Sequence, residues 1–158
     1  MHGAPSVVIK GQSEAALREG CIFAAIFSKA WNAGVGAASA YWVLPSQVSR
    51  RPPSGEFLPR GAFMVRGKRN YVHNIALEAG VGEIFYEDTR LVMCGPVPSV
   101  KALCERYVII IPGSIKKSTL AKKLAGVFSA TADEIMKILP PGNADIKEAR
   151  GIDESILR

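Results

Sequence analysis

The sequence predicts an α+β fold: a mixed or mostly antiparallel sheet packed by a central apolar helix, with a small C-terminal α/β extension. Three observations carry this. Short β-branched and aromatic runs bounded by Gly or Pro recur along the chain, which is the pattern of strands. One long segment, residues 13–32, is apolar on most sides after Gly20 and opens on a serine suited to cap a helix. Two further helical segments follow YVIII (107–111), the run most like a buried strand.

Taken in order, SVVIK (6–10) reads as a buried strand that Gly11 ends. Ser13 then caps a helix reaching about Asn32, with Glu14 and Glu19 near its positive end. GVGAA (34–38) breaks that helix, and SAYWVL (39–44) is a strand stopped by Pro45. Residues 45–60 hold four of the ten prolines and read as an ordered loop rather than a linker. AFMVRG (62–67) is a strand, and KRN turns the chain back into another near residues 71–73. GEIFYED (82–88) and RLVMCG (90–95) form a hairpin around Asp88 and Thr89. Residues 98–104 fit either a strand or a short helix. A helix spans about 116–128. Thr131 and Glu134 have the spacing of a capping box that opens another, ended by Pro140, Pro141 and Gly142. The expected division is a first domain over 1–95, an α/β extension over 96–142, and a loosely held polar tail over 143–158.

At 158 residues the chain is long enough for one domain with a real core, and 48% hydrophobic with 22% charged residues is a globular, soluble composition. Cys21, Cys94 and Cys104 are odd in number, match no zinc spacing and lie in apolar surroundings. They read as buried free thiols, which points to a reducing, cytoplasmic compartment. No signal peptide is visible, and the longest apolar run in the first half, residues 21–27, falls far short of the ~20 a membrane span needs, so no membrane partner is expected.

No catalytic constellation emerges, and the protein is not expected to be an enzyme. The passage PGSIKKST resembles a phosphate loop only at Lys117 and Ser118, because Ile111 and Lys116 stand where glycines are required. His2 and His73 have no cysteine or carboxylate at ligand spacing, and Ser54 is not in a nucleophile elbow. No metal and no cofactor are expected. Trp31 and Trp42 read as core residues.

The charge distribution is more informative. The net charge is +6, yet residues 47–70 alone carry six basic residues against one acid, a local +5. Residues 112–127 add four lysines and no acid, which leaves the rest of the chain at −3. Concentrated positive charge suits a polyanion, because each phosphate contact releases counterions. It also suits a solvated face beside turns. On the first reading Arg50, Arg51, Arg66, Lys68 and Arg69 meet phosphate, while Ser54 and the Gly55 amide complete the donors. Tyr71 offers a ring to a base, and Lys116 and Lys117 form a second basic point at a helix start.

The order of motifs carries a family resemblance. Ser28 to Trp31 (SKAW), Ala40 to Val43 (AYWV), Gln47 to Ser49 (QVS), Pro53 to Leu58 (PSGEFL) and Gly61 to Asn70 (GAFMVRGKRN) resemble, in sequence, the R domain of the NFACT family. HGAPSVVIKG at the start resembles the opening of the same domain. The likeness covers about residues 1–75. It departs at residues 49–53, where SRRPP stands in place of the SKTAP common in eukaryotic members. Residues 95–142 resemble an archaeal C-terminal extension, and the whole is expected to be a C-terminal fragment of an archaeal NFACT protein, with a reduced standalone form as the alternative. The resemblance implies an RNA-binding module of a ribosome quality control factor, with tRNA and ribosomal RNA of the large subunit as partners during rescue of stalled translation. Full members recruit tRNA, and many extend the stalled chain without a template. Two other readings stay open: a protein-interaction domain that docks or dimerises through an open sheet edge beside residues 6–10, and an RNA-binding accessory module in RNA modification.

Overall fold

A computed structural model describes residues 4–157. The Ser13 hydroxyl accepts a hydrogen bond from the Ala16 amide at 3.2 Å and starts α1 (Glu14–Ile26). The helix ends before Asn32 because Ser28 intervenes. The Ser28 hydroxyl donates to the Ala25 carbonyl at 2.7 Å and accepts from the Ala30 amide. It therefore closes one helix and caps the next, the single turn α2 (Lys29–Asn32). This places Trp31 in the core, where its indole N–H donates to the Asn143 carbonyl at 3.1 Å.

Every strand pair is antiparallel, which settles the fold as α+β. β1 (Ala37–Trp42) pairs with β4 (Asn70–Ala76) in a two-stranded ribbon that packs on α1. Between them in sequence, β2 (Val48–Ser49) and β3 (Met64–Val65) form a second, short ribbon. The third sheet has four strands in the order β6-β5-β7-β8, built from β5 (Ala79–Tyr86), β6 (Thr89–Gly95), β7 (Tyr107–Pro112) and β8 (Ala144–Arg150). The β5–β6 turn is at Glu87 and Asp88, both with positive φ, as the right-handed twist of a two-residue hairpin requires.

The faces of the four-stranded sheet carry different loads. Val81, Val108 and Ile110 point into a core shared with α1, Trp31, α4 (Lys117–Phe128) and α5 (Ala132–Ile138). α5 opens on the expected capping box between Thr131 and Glu134. Tyr107 and Ile109 face the other way, under α3 (Val97–Leu103), with Val100 and Cys104. Residues 98–104 are thus a helix. Gly80 and Gly82 admit it: a Cβ at Gly80 would lie 2.6 Å from Val100 Cβ, and one at Gly82 would lie 2.7 Å from Cys104 Sγ.

Three expectations are corrected. Residues 6–10 belong to no strand, and Val8 is 88% exposed. β-branched residues favour extended backbone, but a strand also needs a partner, and among the described residues none pairs there. The open sheet edge expected beside them is therefore not formed. Residues 144–150, read as part of a tail, form the edge strand β8. Ala144, Ile146 and Ala149 pack inward, and a register shift opposite Ile109 and Ile110 puts Lys147 in a bulge, which hides the alternation in the sequence. Lastly, no boundary between separate cores falls at position 95. β5 pairs with both β6 and β7, and one buried cluster runs from Cys21 to Leu157.

The close approach at Gly80 gives a prediction. Gly80→Ala lowers stability by about 1–3 kcal/mol, because Val100 has no flexible end to move aside. Gly126→Ala, in open space on α4, raises it by about 0.5–1 kcal/mol. Urea unfolding of both variants checks the pair of opposite signs.

Candidate nucleic-acid interface

The basic stretch folds as a hairpin. Val48 pairs with Val65 and Ser49 with Met64, and the Arg66 amide extends the ladder to the Gln47 carbonyl at 2.9 Å. At the other end Arg50 lies across from Phe63, its guanidinium carbon 5.6 Å from the ring centroid. The loop between them makes two tight turns. The Glu56 amide donates to Pro53 and the Ala62 amide to Pro59, with Gly55 and Gly61 at positive φ. Ser54 sits exposed in the first turn. Arg51 is exposed too, and its amide donates to the Ser49 hydroxyl.

One uncharged side chain organises the rest. Gln47 Nε2 donates to the carbonyls of both Arg66 and Lys68 at 2.8 Å, and its Oε1 accepts from the Leu44 amide at 2.9 Å. Both of its donors and its carbonyl oxygen are thereby engaged with backbone. The chain bends around the amide through Gly67 at φ +76°, where a Cβ would crowd Gln47 Nε2 at 3.2 Å. With both carbonyls turned to Gln47, the Arg66 and Lys68 side chains stand exposed.

The ribbon of β1 and β4 continues this surface. Arg69 lies over the Tyr41 ring at 5.2 Å, and Tyr41 and Tyr71 are cross-strand partners with ring centroids 5.4 Å apart. Among the described residues none of Arg50, Arg51, Arg60, Arg66, Lys68 and Arg69 is paired with a carboxylate. The cations on the four-stranded sheet and its covering helix differ: Arg90 and Arg106 engage Glu83, Lys101 engages Glu148, and Lys147 engages Glu78.

The structure brings together Arg50, Arg51, Ser54, Arg66, Lys68, Arg69 and Tyr71 on one hairpin and the strand after it. Lys116 and Lys117 sit apart, at the start of α4. Lys117 is committed: its ammonium donates to the Leu139 carbonyl at the end of α5, at 3.0 Å, and burial lowers its pKa. One of its three N–H donors is thus taken by backbone, while Lys116 stays exposed. Burial also pushes the nearby Cys94 thiol up to about 12, so it is inert at neutral pH. Asp145 accepts from the Ser114 and Ile115 amides just before α4, and those bonds hold its carboxyl below the usual range. Sequence reading missed Gln47, whose role depends on a turn twenty residues away. Tyr41, which the sequence leaves open as core or as a base platform, is turned outward, and SAYW and NYVH alternate in the manner of a half-exposed ribbon.

Among the described residues no three His, Cys, Asp or Glu side chains converge on a metal position, and no helix is long and apolar enough to cross a membrane.

Unpaired cations and exposed rings thus share one hairpin and its neighbouring ribbon, a surface chemistry that suits a polyanion. Residues 1–67 match the family described as the NFACT protein RNA binding domain. The match stops at Gly67, short of the expected residue 75. The archaeal Rqc2 homolog aRqcH of Methanocaldococcus jannaschii is 37% identical over 153 residues, covering 92% of this chain and 23% of that protein. The human ribosome quality control complex subunit NEMF is 40% identical over 93 residues, 56% of this chain and 9% of that protein. Subunit 2 of the ribosome quality control complex in Schizosaccharomyces pombe is 40% identical over 63 residues, 40% of this chain and 6% of that protein. The chain thus spans under a quarter of the length of these relatives, and the archaeal likeness takes in its second half as well. No solved structure matches it.

The hairpin geometry and the Asp145 cap each make a measurable prediction. Gln47→Leu keeps the volume but releases three backbone groups. It costs about 1–3 kcal/mol and speeds amide exchange at Leu44, read by hydrogen exchange. Because the Asp145 carboxyl is depressed in the folded state, the stability it contributes is complete above its ordinary value near ~3.9 and is lost as pH falls through the lower folded value. Asp145→Asn flattens that acid limb in pH-dependent urea unfolding.

Proposed function

We propose that this chain is the RNA-contacting module of an NFACT-type ribosome quality control protein. Its hairpin over residues 47–71 meets phosphates of tRNA or of large-subunit ribosomal RNA during rescue of stalled translation, in the cytoplasm. The observation that carries this is the set of six exposed, unpaired cations on a backbone held by Gln47. Six cations within 24 residues, none paired with a carboxylate among the described residues, leave their charge available to an outside anion. Arginine dominates the set, and its planar fork grips phosphate with two bonds. The work is binding and not catalysis, and it needs no cofactor. The names of the relatives supply the ribosomal setting, and the charge geometry supplies the chemistry.

Affinity for tRNA and for large-subunit ribosomal RNA fragments, measured by fluorescence anisotropy across a salt series, should fall steeply with salt. Arg66→Ala combined with Arg69→Ala reduces the log–log slope by about 1–2 units. A slope near zero for the unmodified chain, or no affinity for either RNA, would sink the proposal.

A further inference from the structure

The β1–β4 ribbon turns one face outward, and that face is not only basic. It carries Ser39 and Tyr41 from β1 and Tyr71 and His73 from β4, all exposed. The Tyr71 and His73 rings are parallel to within 6°, with centroids 5.4 Å apart. Tyr41 leans against Tyr71 on one side, and Arg69 extends the row over Tyr41. Large rings on an exposed ribbon gain nothing from water. Here they are lined up rather than scattered.

The imidazole is held in place. Ser39 Oγ lies 3.1 Å from His73 Nδ1, a hydrogen bond across the ribbon. A bulge in β4 makes that contact possible. Ala40 pairs with Val72 and Ala38 with Ile75, so two residues of β4 oppose Ser39 alone. Asn74 absorbs the extra residue at φ 53°, a conformation asparagine tolerates better than most. Bulges re-aim side chains, and this one brings His73 to Ser39. With Nδ1 engaged, Nε2 has no protein partner among the described residues and is left for an outside group.

We infer that this face stacks the bases of single-stranded RNA, with Tyr71 and His73 as the platform and Arg69 and Tyr41 as its extension. This rests on the RNA-binding reading above and names the kind of RNA it takes. The gap between Tyr71 and His73 is too small to admit a base, which would need about twice the ~3.4 Å repeat of a stacked strand. Bases therefore lie on the outside of the pair. A base inside a duplex has both faces covered, so such a platform favours unpaired nucleotides. The cations of the adjoining hairpin then track the phosphates of the same strand.

The test compares the chain with Tyr71→Ala, Tyr71→Phe and the double variant Tyr71→Ala/His73→Ala. The probes are an unstructured RNA of about 12 nucleotides carrying 2-aminopurine, within the site sizes of single-strand binders, and a blunt RNA duplex of equal length. Tyr71 and His73 are both exposed, and thermal melting confirms that each variant folds. The expected result is a loss of about tenfold per ring for the single strand, little change for the duplex, retention by Tyr71→Phe, and an unaltered salt slope. Stacking also quenches 2-aminopurine in the parent chain and not in the double variant. Single-strand binding unchanged in the double variant, with the arginine variants still weakening it, overturns the stacking inference and leaves the phosphate-binding reading intact. Equal losses for single strand and duplex overturn it as well. Failure of every protein to bind either RNA overturns both.

Discussion

The buried indole of Trp31 ties the beginning of the chain to its end. It needs two things at once: a helix broken at Ser28, so that the ring turns inward, and the Asn143 carbonyl to accept its N–H. Full burial of so large a side chain is favourable only if that N–H is satisfied. Asn143 is delivered by the turn that follows α5 and precedes β8. Gly142 there runs so close to Asn32 that a Cβ would meet its side chain at 2.8 Å. The short helix that opens the family resemblance and the last strand of the four-stranded sheet thus belong to one packing arrangement.

This coupling explains why the basic hairpin can be exposed and still well defined. β1 and β4 are held from behind by α1 and the shared core. Gln47 then fixes the hairpin to the ends of these strands through backbone bonds alone. No cation of residues 47–70 is drawn into an ion pair among the described residues. Some cations elsewhere are bound into the fold. The Arg106 guanidinium reaches Glu83, the Val127 carbonyl and the Gly151 carbonyl, and the Lys123 ammonium reaches the Leu157 carbonyl. Those charges hold the C-terminal segment against the sheet.

Much of the fold was legible because local chemistry agreed with the tertiary outcome. Ser13, the Thr131–Glu134 box and the prolines at 140 and 141 act over a few residues, and each does in the structure what it promises in the sequence. YVIII became the inner strand β7, flanked on both sides. The misses share one cause. SVVIK has strand chemistry and no partner, whereas ADIKEAR has a partner and a bulge that blurs its alternation. Lys117 looked like its neighbours and differs because the end of α5 lies against it.

The order of amino acids was enough to set the helices with strong caps, the central apolar strand, the family likeness over the first part of the chain, and the concentration of positive charge in residues 47–70. Each of these is a property of composition or of short spacing. Folding in three dimensions settled which charges are free, that Gln47 orders the hairpin, that Gly80 and Gly82 seat a helix, and that Ser39, Tyr41, Tyr71 and His73 share an outward face. Pairing, register and close approach are relations between residues far apart in the chain, and register in particular chooses which side of a ribbon every side chain occupies.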